Sequence, residues 1–191
     1  TICRYFLVPY LKKFHQDFPN AHLKVSNQTS IKCVELLETG QVDLIVVNYP
    51  NKYLSNVSSI KKIQKFHDVF IANHSFDYLK EKKLSYQELS KYPILMLDKQ
   101  STTSEFLHRL FQQHHLDLVP EIELTSNDLL IDLARIGLGI AFMPDYCLSR
   151  QSEDLFVVET EESLPERELV IAYNEQVPLS NAAVEFLNYF N

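Results

Sequence analysis

Short hydroxyl and amide side chains stand at the starts of four predicted helices: Thr1, Thr29-Ser30, Ser101-Thr102-Thr103-Ser104 and Ser126-Asn127. A helix N-terminus carries free N–H groups and the positive end of the helix dipole, so it attracts anions and polar ligands. The same residue types are the usual helix caps, so each group serves its own helix, a ligand, or both. Asn48 follows an apolar run, where an α/β sheet opens to ligands at the carboxyl edge of its strands. Phe142 and Met143 end another strand and either wall a pocket or fill the core. No arginine falls at these points, so an anionic ligand would depend on helix N-termini rather than on a bidentate guanidinium.

Motifs for other chemistry are missing from the sequence. The chain has no Gly-x-Ser-x-Gly, no His-Glu-x-x-His, no phosphate-binding glycine loop and no Cys-x-x-Cys. Gly137-Leu138-Gly139 closes a helix before a strand, the reverse of a dinucleotide fingerprint, so it reads as a turn. His108, His114 and His115 share a helix and read as surface histidines rather than metal ligands. Cys3 and Cys33 fall in the first turns of helices, where a thiolate is favoured, yet with Cys147 they read better as small apolar filler. No nucleophile or acid–base pair can be assembled, so the expectation is no enzyme, no metal and no cofactor.

The elements that must position these residues alternate. Leu7, Leu11, Phe14 and Phe18 make a helical stripe that Pro9 interrupts in its first turns, leaving an irregular turn before the main helix. His22–Asn27 alternates like a strand, Ser30–Glu38 is a helix closed by Gly40, and Val42–Val47 is a strand covered on both faces. Ile60–Asn73 reads as an extended strand leaving one sheet for another, with Lys61, Lys62 and Lys65 as a solvated edge. A second α/β series follows: a strand at Ile94–Leu97, a helix at Thr103–His115, a strand at Glu121–Leu124, then a helix from Ser126 and a strand up to Pro144. A helical turn at Asp145–Leu148, strands at Asp154–Val158 and Glu168–Tyr173, and a helix carrying Ala183, Phe186, Leu187 and Phe190 complete the chain. Alternation at this spacing predicts an α/β fold with a parallel sheet.

At 191 residues the chain suits one domain or two small lobes sharing a hinge. Its net charge of −7 argues against direct nucleic-acid binding, which needs a basic face. No apolar run reaches the roughly 18–20 residues of a membrane span, so no membrane partner is expected. Three cysteines at long spacings suit a reducing, cytoplasmic setting rather than a disulfide framework. Residue 1 is Thr rather than Met, so the chain reads as a fragment or processed product.

Three landmarks carry a resemblance. Ser126-Asn127-Asp128, followed by Ala134-Arg135-Ile136-Gly137-Leu138-Gly139-Ile140-Ala141-Phe142-Met143-Pro144, is the most specific. Tyr5-Phe6-Leu7-Val8-Pro9-Tyr10-Leu11 leading to Phe14 and Phe18-Pro19, and Glu35-Leu36-Leu37-Glu38-Thr39-Gly40-Gln41-Val42-Asp43-Leu44, lie at the right order and spacing. Together they cover essentially the whole chain, which resembles the effector-binding domain of bacterial LysR-type transcription regulators. The resemblance implies a type 2 periplasmic-binding-protein fold: two α/β lobes, each a mixed sheet flanked by helices, joined by two crossover strands. The expected lobes are residues 1–72 plus 156–191 and residues 73–155.

That fold implies that the polar helix starts converge on one cleft, where a small, anionic or polar effector would touch Thr1, Thr29, Ser30, Asn48, Ser101, Thr102, Thr103, Ser126 and Asn127. It also implies a homodimer, and a tetramer in the full-length protein, with Tyr10, Phe14, Phe18 and His22 facing the partner's Phe106, Leu110 and His114. Alternatively these aromatics complete each lobe's own core. DNA binding would belong to an N-terminal winged helix-turn-helix that the sequence lacks, as it lacks the family's strand before the first helix. A solute-binding protein of an uptake system shares the fold and is the competing function; a relative of prephenate or cyclohexadienyl dehydratase is a third.

Overall fold

The computed structural model describes residues 1–56, 59–148 and 154–190. In chain order the elements are α1 (Val8–Asp17), α2 (Ser30–Glu38), β1 (Ile45–Tyr49), β2 (Ser59–Phe66), β3 (Asp68–Asn73), β4 (Lys83–Leu84), α3 (Tyr86–Leu89) and β5 (Ile94–Leu97). They continue as α4 (Thr102–Gln113), β6 (Ile122–Leu124), α5 (Asn127–Arg135), β7 (Ile140–Pro144), β8 (Leu155–Thr160), β9 (Arg167–Tyr173) and α6 (Asn181–Asn188). Contacts group them into two compact units, Thr1–Lys65 with Glu168–Asn191, and Phe66–Arg167. The second unit therefore takes in 66–72 and 156–167, which the sequence reading gave to the first lobe. The cause is pairing: β3 bonds β7 and β8 in one sheet and so cannot leave with the first unit. Residues 149–153 of the expected second lobe lie outside the described residues.

The first unit holds a three-stranded sheet in the order β1-β9-β2, with β1 antiparallel to β9 from Ile45 opposite Ala172 to Tyr49 opposite Glu168. Val34 and Leu37 of α2 pack with Val47, Val170 and Ala172 beneath it. The lysine-rich β2 is an edge strand, as its composition predicts. Two expectations fail. His22–Asn27 forms no strand, and Leu23 and Val25 stay exposed, because alternation alone makes no strand without a partner to pair with. β1 pairs antiparallel with β9, where alternation had suggested a parallel neighbour in this unit. Pro9 acts as anticipated: a π-helical turn at Cys3–Leu7 precedes α1, absorbing the hydrogen bond that a proline nitrogen cannot donate.

The second unit is a six-stranded mixed sheet in the order β4-β8-β3-β7-β5-β6. β5, β6 and β7 run parallel, while β3 is antiparallel to both its neighbours. Its core joins Phe70, Met96, Leu107, Leu110, Phe111, Ile140 and Phe142. Two close approaches fix the geometry around α5. Gly137 closes the helix at φ +82°, with its N–H on the Ala134 carbonyl and the Leu138 N–H on Leu133, a Schellman ending. Gly139 brings β7 against the strand before it: a Cβ there would stand 2.3 Å from the Pro93 carbonyl oxygen, which also accepts from the Ile140 N–H at 2.8 Å. Gly40 ends α2 with the same left-handed geometry, but an added Cβ meets nothing within 4 Å.

Gly139→Ala is accordingly expected to destabilise the protein by about 1–3 kcal/mol through overpacking against backbone, whereas Gly40→Ala carries only the left-handed cost of about 1–2 kcal/mol. Chemical denaturation of both variants checks this; a Gly139→Ala protein as stable as the parent would contradict the close approach.

Candidate functional site

The parallel strands of the second unit all end at one edge, and the chain places its polar residues there. β5 leads into α4, β6 into α5, and β7 ends at Pro144 opposite Asp68, the first residue of β3. Ser101 caps α4, accepting from the Thr103 N–H at 3.1 Å, and Ser126 caps α5, accepting from the Leu129 N–H at 3.4 Å. Thr102, Thr103, Ser104 and Asn127 are all buried, which helix-start residues facing bulk water would not be. The turn after β7 is tied to the β2–β3 junction: Asp145 donates its N–H to the His67 carbonyl at 2.8 Å and accepts the His67 N–H at 3.1 Å.

A buried ion pair occupies this edge. Arg167, at the head of β9, and Asp68 are each 1% exposed. Arg167 Nη1 donates to Asp68 Oδ2 at 2.7 Å and to Thr103 Oγ1 at 3.3 Å. Its guanidinium carbon lies 4.9 Å from the Phe106 ring centre and 5.2 Å from that of Phe66, within cation–π range. Phe106 in turn stacks on Phe142, and Phe66 meets Tyr146 edge-on. Burial pushes the Asp68 carboxyl up from its ordinary range, and the Arg167 charge and hydrogen bond pull only part of that back. Among the described residues, Arg167 Nε and Nη2, Asp68 Oδ1 and Ser104 Oγ have no hydrogen-bond partner.

This arginine corrects the expectation that no guanidinium reaches the polar helix starts. Arg167 and Asp68 stand 99 positions apart, and neither spacing nor periodicity connects them. The available signal was charge at the head of an otherwise apolar strand: Asp68 before Val69-Phe70-Ile71-Ala72, and Arg167-Glu168 before Leu169-Val170-Ile171.

Of the other residues singled out, Ser101, Thr102, Thr103, Ser126 and Asn127 share this edge. Thr29 caps α2 by accepting the Lys32 N–H at 3.2 Å, Ser30 begins that helix, and Asn48 is buried in β1, on which α2 packs. Thr1 precedes the π-helical turn, its carbonyl accepting the Tyr5 N–H. Phe142 and Met143 are fully buried in β7, the core role rather than a pocket wall. Cys33 and Cys147 follow the filler reading: burial raises both thiols, the reverse of an activated thiolate. Among the described residues no group of three His, Cys, Asp or Glu side chains could hold a metal.

The residues assigned to a dimer contact divide. Phe14 is 0% exposed, packed edge-on to Phe186 at 5.5 Å, and Leu110 lies in the second unit's core, so neither reaches a partner. The Tyr10 ring lies tilted against Phe190 at 4.6 Å, and that of Phe18 against Phe14 at 4.9 Å. Phe106 covers Arg167, while the His114 ring lies tilted against Tyr86, 4.6 Å between centres, and 3.5 Å from Glu162. His22 is exposed.

Because the folded-state Asp68 carboxyl is raised, its contribution to stability is fully present below the unfolded value of 3.8 and is lost as pH climbs through the folded value. The stability of the parent relative to Asp68→Asn should therefore fall as pH rises from about 4 through the raised folded-state value. Denaturation curves across that window test it, and a constant gap would count against burial as the dominant force. Asp68→Ala, which strands the arginine, should cost about 3–5 kcal/mol.

The comparisons with known proteins agree with this architecture. The family model described as the LysR substrate binding domain matches residues 1–191. The transcriptional activator CmpR of Synechocystis is 26% identical over 191 residues, covering 99% of this chain and 62% of that protein. CysB of Haemophilus influenzae, a transcriptional regulator, is 22% identical, covering 100% and 59%. The chain thus spans about three-fifths of the length of these transcriptional regulators. Among solved structures, the Synechocystis CcmR regulatory domain in complex with 2-PG superposes with a TM-score of 0.88 at 21% identity, covering 100% of this chain and 91% of that one. The effector binding domain of QuiR with shikimate gives 0.84 at 14% identity, covering 99% and 90%. Two mixed α/β units, landmark glycines where helices end, and a match over every residue lead to one assignment: the chain belongs to the LysR substrate binding domain family, with the type 2 periplasmic-binding-protein fold.

Proposed function

We propose that this chain is the effector-sensing part of a cytoplasmic bacterial LysR-type transcription regulator. A small metabolite binds at its polar helix starts and alters the DNA-bound activity of the whole protein. The observation that carries this reading is the row of buried hydroxyl and amide side chains at the carboxyl edge of the second unit's sheet, where α/β folds take ligands. Ser101, Thr102, Thr103, Ser126 and Asn127 are the contacts there, and Thr1, Thr29, Ser30 and Asn48 are those of the first unit. The ligands named in the CcmR and QuiR structures support a small polar effector. The regulator relatives favour this reading over uptake of a solute. DNA would be bound through a winged helix-turn-helix attached to this domain, in a tetramer built from dimers.

A thermal-shift screen of small metabolites, followed by titration calorimetry on Ser101→Ala and Thr29→Ala, tests the site. Each variant should weaken binding of a hit by about 0.5–1.5 kcal/mol per lost hydrogen bond. Unchanged affinity in both would remove the helix starts from the site. Light scattering should report a dimer near 45 kDa, about twice the 22.3 kDa chain. Tyr10, Phe18, His22 and His114 remain accessible enough to take part, and Tyr10→Asp should shift the mass toward the monomer. A monomer at high concentration would contradict the assembly.

A further inference from the structure

The unpaired atoms around Arg167 carry chemical detail. A guanidinium has five N–H donors in a plane, and here only Nη1 is engaged, by Asp68 Oδ2 and Thr103 Oγ1. The remaining edge, Nε with Nη2, is the fork that matches a carboxylate through two parallel hydrogen bonds. Both atoms are buried and have no partner among the described residues. Orphaned charged donors in the interior are costly, so this edge is built to be filled.

The same cluster leaves an acceptor and a hydroxyl unmatched. Asp68 Oδ1 is buried without a partner, on the carboxylate whose other oxygen holds Arg167. Ser104 Oγ, one residue beyond Thr103 in the first turn of α4, is buried and unpaired as well. Two donors on Arg167 call for an anionic oxygen pair, while Asp68 Oδ1 calls for a hydroxyl or N–H. A simple carboxylate would satisfy the first and be repelled by the second; a carboxylate bearing a hydroxyl satisfies both. The positive end of α4, which the 12-residue helix directs at its first turn, offsets the second negative charge.

Building on the effector-site reading above, we infer that Arg167, Asp68 and Ser104 form an oxyanion subsite for a small hydroxy acid. Its carboxylate sits on the Nε–Nη2 edge of Arg167 and its hydroxyl donates to Asp68. Phe106 is only partly buried and its ring lies against the guanidinium, so rotation of that side chain is the way in. Arg167 is thus a specificity residue: it selects charge, and Asp68 selects the hydroxyl beside it.

The test uses glycerate as probe, with propionate lacking the hydroxyls and glyceramide lacking the charge. In arginine-selective ¹H–¹⁵N spectra, glycerate should move the Arg167 Nε–H resonance, which is assigned by its loss in Arg167→Lys. Propionate should bind at least about tenfold more weakly, the worth of one hydrogen bond to a charged group, and glyceramide should leave the resonance in place. The double variant Arg167→Met/Asp68→Leu replaces the buried pair with apolar groups and is expected to stay folded; it should no longer respond to glycerate. Glycerate binding that persists in the folded double variant, or an Arg167 signal indifferent to glycerate in the parent, overturns the subsite. Other metabolites could still bind through Ser101 and Thr29, so that failure is separate from failure of the effector-site reading. An equal response to propionate and glycerate overturns the role given to Asp68.

Discussion

A guanidinium taken out of water has to be met by the protein, and the second unit meets Arg167 at Nη1 and with two aromatic rings. Asp68 supplies the counter-charge from β3, Thr103 an oxygen from α4, Phe106 and Phe66 the two rings. Those residues come from different segments of the chain, so the pair can form only when β3, β9 and α4 are all in place. Such a pair contributes little net stability, because the cost of burying both charges offsets their attraction. What it does contribute is position: the first turn of α4 is held by a charge-assisted contact to the end of a strand rather than by apolar packing alone.

Around that fixed point the remaining polar edge follows from chain direction. Three parallel strands finish together, two of them feed helices whose first residues are buried polar side chains, and the third finishes opposite Asp68. An antiparallel neighbour at β3 is what brings an aspartate to that end, since a parallel strand would have placed its start on the far side of the sheet. The apolar face below is continuous, from Phe70 through Phe142 to Leu107 and Phe111.

What could be read from the sequence was local. Gly40 and Gly137 announced helix ends, Ser101 and Ser126 announced helix starts, and Pro9 announced an irregular first turn; each depends on a few neighbouring residues. Pairing over long separations was hidden. His22–Asn27 has the alternation of a strand but no partner, and β3 was assigned to the wrong side of a boundary because its partners β7 and β8 lie far along the chain. The family resemblance placed Phe14 and Leu110 at a partner's surface, yet aromatic and aliphatic neighbours from α6 and the second unit's core claim them. Arg167 was passed over for the same reason: its meaning lies entirely in Asp68.

The far end of α5 is held as firmly as its capped start. Asn73 donates its side-chain amide to the Arg135 carbonyl at 2.9 Å while its oxygen accepts the Ser75 N–H, and Gly137 packs against the same amide. At nine residues the helix is about 14 Å long, so this tie to the end of β3 stands one helix length from the Ser126 cap. Leu130, Ile131 and Ala134, buried between the two ends, seat the helix along its length as well.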